Sequence, residues 1–559
     1  MPSEDAFLQA ILESPDDYSP RLLFADWLDE RGDPRGELIR VQCELASLDH
    51  DPALPAFDYW LFGDWDVDLA SLTAAPAWQF ERQSDLMDLE GRLLEQNEET
   101  WIGPVRDAVG PCPMSPGELR DFLERPKRID EPLYGWDFRR GLVETVRMEA
   151  RAFVKDADRL LRSAPIHDVW LYRPAGLIRP LAALPVLARL TALDLGEASI
   201  YHHNMDCIGD ADLAALAACP YLSNLTTLGL SYHDIGVRGV EALVHSPNLA
   251  RLTALNLGSN AFLTEERGVE TLARSPLMER LTVLLLGGGG GFASFEMGDA
   301  GVTVLADSPR AAGLRTLGLN SSGLGVPGIE ALAASPYLSD LEVLDLEAND
   351  LGDAGASALA LAPPWSKLRM LDLDDNGIGD AGATALAGAA WLPQLQALNL
   401  NRNKIGASGL RALLESADLS RLQVLGLGEN QVHDQGIAWL TAAPGLTDLR
   451  LLDLFNAGIA EAGVVALAQA PSLARLRMLK LHGSRPGPRG IEALAASSCL
   501  GHLRELDLSY AALGDTEAEL LANAPALERL TRLRVAGNSF TEWGIEALRS
   551  RFGRRIVLA

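Results

Sequence analysis

The sequence predicts an α/β solenoid in which short parallel strands alternate with helices, stacked unit upon unit behind a small N-terminal helical module. Three observations predict it. A leucine recurs every 27 residues through the C-terminal half of the chain. Each interval carries the same order of strand, turn and helix signals. In several intervals an asparagine follows the strand leucines at a fixed distance, where an ordinary loop would vary.

The unit is plainest at Leu368-Arg-Met-Leu371-Asp-Leu373-Asp-Asp-Asn376-Gly-Ile378. With the second leucine as marker, it recurs at Leu193, Leu228, Leu255, Leu284, Leu317, Leu344, Leu371, Leu398, Leu425, Leu452, Leu479, Leu506 and Leu533. All eight steps from Leu317 onward are 27 residues; the earlier ones are 35, 27, 29 and 33. Val143-x-x-Val146-x-Met148 and Ile166-x-x-Val169-x-Leu171 are degenerate forerunners, and Arg555-Ile-Val-Leu558 reads as a closing strand.

Leu371 and Leu373 stand two apart, so in a strand both point to the core. Asn376 follows where the chain turns away, and its amide can satisfy buried backbone groups of its own and the next turn. Asn260, Asn349, Asn403, Asn430 and Asn538 hold the same slot. Ala198, His233, Gly289, Ser322, Ala457, Ser484 and Ala511 interrupt it, which predicts looser turns there. Asp380, with Asp353, Asp434 and Asp515 in equivalent slots, reads as the N-cap of its own helix. The helix is short and rich in Ala and Leu. Prolines such as Pro247, Pro336, Pro471 and Pro525 then stop it and return the chain to the next strand. No unit buries its apolar face alone, so stacking must supply the core.

The pattern L-x-x-L-x-L-x-x-N-x-I resembles the leucine-rich repeat, and its full helix per unit resembles the ribonuclease-inhibitor-like class. The resemblance covers roughly residues 136–559. It implies a horseshoe with parallel strands on the concave face and helices on the convex face. The chain lacks the 28- and 29-residue alternation and the many cysteines of the best-known members, so their ligands do not carry over.

Residues 1–48 read as three helices: Ser3 to Glu13, Ser19-Pro20 to Gly32, and Asp33-Pro34 to Leu48. The segment Pro20 to Gln42 is similar to a repeat-companion module found before repeat arrays in bacterial paralogous families, which implies association with repeats and no known reaction. Asp26, Asp29, Glu30, Asp33 and Glu37 with Arg31, Arg35 and Arg40 read as caps and exposed salt bridges. Residues 49–135 form a second region. It opens acidic and aromatic, with Tyr59, Trp60, Phe62 and Trp65, and reads as an insertion on the array or an exposed interaction segment. An amphipathic helix follows over 79–101, then a tether with five prolines from Pro111 to Pro132. Residues 136–559 form the array.

Composition narrows the function. Acids outnumber bases 77 to 48 in 559 residues, a formal charge of −29, and residues 1–100 hold 24 acids against 6 bases. Nucleic-acid binding needs a basic face, so that class is excluded. No apolar run approaches the roughly 18–20 residues that span a bilayer. Five scattered cysteines without CxxC spacing fit a reducing compartment, and the N-terminus lacks a signal-peptide pattern, so the expected location is cytoplasmic. The pentaglycine Gly287 to Gly291 has no Gly-Lys-Ser/Thr after it and reads as a flexible loop. The His202-His203-Asn-Met-Asp206-Cys207 cluster matches no standard metal spacing. We read no catalytic, cofactor-binding or metal residue.

What remains is the strand face. Residues that flank the core leucines point away from the core, and adjacent strands bring Asp345, Glu347, Asp372 and Asp374 within about 5–7 Å of each other. Asn399 and Asn401 extend that patch; Asp453 and Phe455 continue it, and Lys480, His482, Arg532 and Arg534 make the far end basic. These residues are the expected docking surface for a protein partner bearing a basic segment, with a solvated polar face or a cation site as other readings of the four acids. The expected function is a non-enzymatic protein-binding scaffold. The alternatives are an activator of a small GTPase, which some arrays of the resembled type are, and an enzyme with a site in residues 49–135.

Overall fold

The computed structural model describes residues 3–14, 17–48, 77–103, 105–106, 135–196, 207–288, 296–362, 365–416 and 418–558. The acidic-aromatic stretch, the proline tether, His202 to Asp206 and Gly289 to Gly291 lie outside the described residues. Two compact units form, Met1–Glu296 with Ser308–Leu314, and Met297–Asp307 with Arg315–Ala559.

The first unit opens with α1 (Glu4–Glu13), α2 (Tyr18–Asp29), α3 (Arg35–Leu48) and α4 (Ala77–Trp101). Asp17 caps α2 by accepting from Ser19 N at 2.8 Å, and Asp33 accepts from Arg35 N at 2.9 Å as α3 begins. Their apolar faces bury Ile11, Phe24, Leu28 and Ile39 together with Leu142, a residue of the first strands. Leu38, Val41 and Leu45 of α3 pack against Leu86 and Leu93 of α4. The charged residues of these helices pair as expected: Arg40 with Asp26 and Asp29, both at 2.6 Å, and Arg35 with Asp33 and Glu4 at 2.7 and 2.8 Å.

The strands begin one element earlier than the periodicity predicts. β1 (Gly135–Arg139) turns back through Gly141 and pairs antiparallel with β2 (Leu142–Glu149). Gly141 is required there. It sits at φ +85°, and an added Cβ would lie 2.2 Å from Ile39 of α3. Parallel pairing then runs from β2 through β3 (Asp168–Tyr172), β4 (Ala192–Asp194), β5 (Thr227–Gly229) and β6 (Ala254–Asn256) to β7 (Val283–Leu285). One ion pair ties the helices to this sheet. Arg21 of α2 meets Glu144 of β2 at 2.5 Å, and both side chains are fully buried. Glu144 also meets Arg140 at 2.7 Å and His167 at 3.1 Å.

The second unit carries β8 (Thr316–Gly318), β9 (Val343–Asp345), β10 (Met370–Asp372), β11 (Ala397–Asn399), β12 (Val424–Gly426), β13 (Leu451–Asp453), β14 (Met478–Lys480), β15 (Glu505–Asp507), β16 (Arg532–Arg534) and β17 (Ile556–Val557). All pair parallel in sequence order, and marker leucine faces marker leucine from Leu317–Leu344 to Leu506–Leu533. Every one of the thirteen markers is the central residue of a strand. Seven- to eleven-residue helices separate the strands, for example Gly352–Ala360 and Asp380–Leu386. The core is leucine throughout.

Two polar features differ from expectation, and stacking explains both. Asn376 serves its own turn, as expected, donating to Asp374 O at 2.9 Å, but its other partners lie in the preceding turn and not the next one. Its Oδ1 accepts from Asn349 N at 3.2 Å and Leu351 N at 3.4 Å, and its Nδ2 donates to Leu346 O at 2.9 Å. Asn349, Asn403 and Asn430 repeat the pattern. Where His233 replaces asparagine the turn is not looser, because Nε2 lies 2.8 Å from Leu195 O and Nδ1 accepts from Ile208 N at 3.4 Å.

The acid slot is the second difference. Asp380 begins its own helix and caps the next one, accepting from Gly406 N at 2.7 Å and Gly409 N at 2.9 Å. Asp210, Asp299, Asp353, Asp434 and Asp515 do the same for the helices that follow them. Parallel stacking sets each helix N-terminus beside the first turn of the preceding helix, and the carboxylate reaches across to its unpaired amides.

Candidate docking surface

The alternation of core leucines places one column of side chains on the opposite strand face, and the column is short and polar for a local reason. Asp345 Oδ1 accepts from Glu347 N at 3.0 Å, Asp372 from Asp374 N at 2.9 Å, Asn399 from Asn401 N at 3.0 Å, Asp453 from Phe455 N at 3.2 Å and Asp507 from Ser509 N at 2.8 Å. Asp194 and Asn256 make the same bond in the first unit. Asp and Asn are short enough to turn back on the amide two residues on, which the longer Glu and Gln do not do. Across thirteen repeats this column holds seven Asp or Asn and no Glu or Gln. The acids thus have a structural task, ending each strand.

The structure brings the candidate residues together, and most of them are buried. Asp345 and Asp372 are register partners on β9 and β10, each 2% exposed. Asp374, Asn399, Asn401 and Asp453 are buried as well. Asn399 Nδ2 donates to Asp372 Oδ2 at 3.1 Å, and Asn401 Oδ1 accepts from Gly428 N at 2.6 Å. Lys480 stands 3.3 Å from Asp453. Glu347 and Phe455 are the two candidates that keep partly exposed side chains. Burial, with the nearby carboxylates of Glu347 and Asp374, pushes Asp345 well above the ordinary aspartate range, and burial with Asp345, Glu347 and Asp374 does the same to Asp372. Burial pushes Asp374 up to about 6, although Arg402 at 3.1 Å opposes it. Among the described residues no group of three or more His, Cys, Asp or Glu is placed to hold a metal ion.

The accessible column is the next one, which the sequence reading passed over. In the second unit, four residues after each marker the backbone is left-handed. Ser321, Ala348, Asp375, Arg402, Glu429, Asn456 and Tyr510 have φ between +47° and +56°, and Gly483 and Gly537 occupy the same position. This conformation turns the side chain out, and Asp375, Glu429, Asn456 and Tyr510 are exposed. Neighbours in this column interact. Asn456 Nδ2 donates to Glu429 Oε1 at 3.2 Å, Arg402 lies 3.9 Å from both Glu429 and Glu347, and its guanidinium is 5.8 Å from the Phe455 ring centroid. Tyr510 is 62% exposed and meets His482 with ring centroids 5.0 Å apart. The two glycines were the available signal, since a column holding Gly in some repeats marks a backbone that favours it.

In the first unit an open groove of about 700 Å³ runs between α3 and α4, bordered by Glu37, Arg40, Glu44, Arg82 and Asp85. Arg40 and Arg82 are engaged by neighbouring carboxylates. No helix among the described residues is long and apolar enough to cross a membrane.

Repeat, register and strand order together define a leucine-rich-repeat solenoid. Residues 221–244, 337–360, 366–387, 393–414 and 502–522 each match the leucine-rich repeat model. No curated protein matches the chain. Among solved structures, the chain is similar to an internalin of Listeria monocytogenes, with 22% identity and a TM-score of 0.36 over 59% of this chain and 86% of that one. It is also similar to a chain of the yeast Rad7–Elc1 complex, with 15% identity and a TM-score of 0.40 over 87% and 98%.

Proposed function

We propose that the chain is a non-enzymatic scaffold that binds a protein partner across the strand face of its second unit. One observation carries this reading. Tyr510 holds a left-handed backbone and an exposed ring at a position where the flanking repeats use glycine. A left-handed backbone is conformationally costly for a bulky residue, and here it presents a large aromatic ring to solvent without burying it in the core. Gly537 makes room for the ring, since a Cβ there would lie 2.5 Å from it. Tyr510, His482 and Phe455 form the aromatic part of the surface, and Glu347, Arg402 and Glu429 the charged part. Aromatic and arginine side chains dominate binding energy at protein interfaces. The accessible acids of this surface, Glu347, Asp375 and Glu429, favour a partner with a basic segment.

We further infer the ribonuclease-inhibitor-like class from the helix in each repeat, residues 1–48 as the companion module before the second region at 49–135, and residues 136–559 as the array. The free thiols of Cys43, Cys219 and Cys499 support a reducing compartment, the cytoplasm.

The test is affinity capture with the full chain, its Phe455→Ala/Tyr510→Ala variant, and Asp158→Asn as a control on an exposed helix. The expected result is a defined set of proteins held by the wild type and the control and released by the aromatic variant. An identical set on all three would refute docking at this surface.

A further inference from the structure

Asp345 and Asp372 differ from the other buried carboxylates of the chain. Among the described residues Glu144 has Arg21 and Arg140, Asp168 has Arg139, Glu342 has Arg315, Asp374 has Arg402 and Asp453 has Lys480. Asp345 and Asp372 stand opposite each other in register on adjacent strands, and among the described residues no cation is within ion-pair distance of either. Their hydrogen-bond donors are neutral: the amides of Glu347 and Asp374 and the side chain of Asn399.

The groups facing the pair are known from each neighbouring strand. From the β8 side come Gly318 and Asn320, which carry no charge; Glu347 follows β9, Asp374 and Asp375 follow β10, and Asn399 and Arg402 come from the β11 side. Arg402 is the one positive group among them, and it is committed to Asp374 at 3.1 Å and, more loosely, to Glu347 and Glu429. A second observation points the same way. Asp374 is 5% exposed, and its Oδ1 has no hydrogen-bond partner. Two adjacent buried carboxylates without a counter-ion cannot both ionise, so either a proton or a bound cation must reduce their charge.

We propose that Asp345 and Asp372 hold one proton between them at neutral pH, an O–H of one carboxyl donating to the other, and that its loss at higher pH loosens β9 and β10. The proton is taken from solvent on folding and returned to it on deprotonation. Burial and the surrounding acids raise both groups, as they raise Asp374 to about 6. A carboxyl raised in the folded state contributes stability that is fully present below its ordinary value and is lost as pH rises through the raised one. The device does not depend on the docking reading.

Infrared spectroscopy of the full chain at pH 7 tests it directly, because an ordinary carboxylate is ionised there. A protonated-carboxyl band is expected in the wild type, absent from Asp345→Asn/Asp372→Asn and lost from the wild type on raising the pH. Denaturant unfolding is the second measurement. Between pH 5 and pH 8.5 the wild-type unfolding constant should rise at least about a hundredfold more than that of the double variant, tenfold for each pH unit over which unfolding releases the shared proton. Hydrogen exchange at the Leu346 and Leu373 amides should place that loss at β9 and β10. No band at pH 7, or equal pH dependence of the two proteins, overturns the proposal. So does a wild type that millimolar Ca²⁺ or Mg²⁺ stabilises at pH 8.5 with loss of the band, which would assign the pair to a cation.

Discussion

Asp353 Oδ1 accepts the backbone N–H of Gly382 at 2.8 Å, bonding a side chain of one repeat to the helix of the next. It also takes Gly379 N at 2.7 Å. The glycine is part of the arrangement, since a Cβ at Gly382 would stand 2.7 Å from the same oxygen. The same acid–glycine contact recurs at Asp210–Gly239, Asp299–Gly328 and Asp380–Gly409.

Asp353→Ala removes the cap of the following helix and is expected to cost about 1 kcal/mol. Gly382→Ala, by overpacking the same contact, should cost about 1–3 kcal/mol. Hydrogen exchange locates the effect. Amides at residues 379–382 should exchange faster in Asp353→Ala, with the helix that contains Asp353 unchanged.

Asn376→Leu leaves the Asn349 and Leu351 amides without an acceptor inside the core, while the Leu346 carbonyl keeps Asn349 Nδ2. Each unsatisfied buried group costs about 1–3 kcal/mol, so the substitution should destabilise the second unit by about 2 kcal/mol or more. Equilibrium denaturation measures it, and a change under 1 kcal/mol would contradict the ladder.

His233 is pushed down to about 4 by burial, against the opposing bond to Leu195 O. It is neutral when folded while the unfolded residue titrates near its ordinary 6.5. Its contribution is therefore complete above pH 6.5 and falls away as pH drops toward 4. His233→Asn restores the asparagine of the other repeats, and the variant should lose less stability than wild type between pH 7 and pH 5.

Arg21→Met removes one of the two arginines that pair with Glu144 in the first unit, leaving Arg140 and His167, and should cost about 1.5–3 kcal/mol, the range for a hydrogen bond to a charged group. Burial opposes ionisation of Glu144, but His167, Arg21 and Arg140 outweigh it and hold the group below its ordinary 4.5. The stabilisation is present above that value and is lost as pH falls through the lowered one. Limited proteolysis between α1 and α4 should detect the variant.

Tyr510→Gly should raise stability by up to about 1 kcal/mol, the strain of the left-handed backbone set against glycine's entropy. If the docking reading holds, the same variant loses its partner. Gained stability with lost binding is the opposite of what a packing role would give.

The places of the repeat strands were legible from the marker leucines, each of which is the central residue of its strand. Buried leucines two apart impose a period-two face, and the 27-residue interval repeats it. Helices α1 to α3 were legible from their apolar spacing and turn residues and α4 from its leucines, although Ser3 makes no side-chain cap bond and Asp17, not Ser19, caps α2. β1 was not, since its Trp136-Asp-Phe-Arg stretch pairs antiparallel with β2 and shares none of the repeat's spacing. Within the candidate surface, the sequence reading singled out the Asp column for its charge. The structure gives that column to strand-ending bonds and exposes the left-handed column beside it.

The amino-acid order alone determined a solenoid, its thirteen marker strands and its leucine core, because burial of a periodic apolar face is decided inside each repeat. Only the tertiary structure decided which repeat each polar side chain serves. Asp353 caps a helix 26 residues on, Asn376 bonds a turn 27 residues back, and Arg21 meets Glu144 across 123 residues. Those partners become neighbours only when the repeats stack, and hydrogen bonds and ion pairs act over a few ångströms of space, not along the chain.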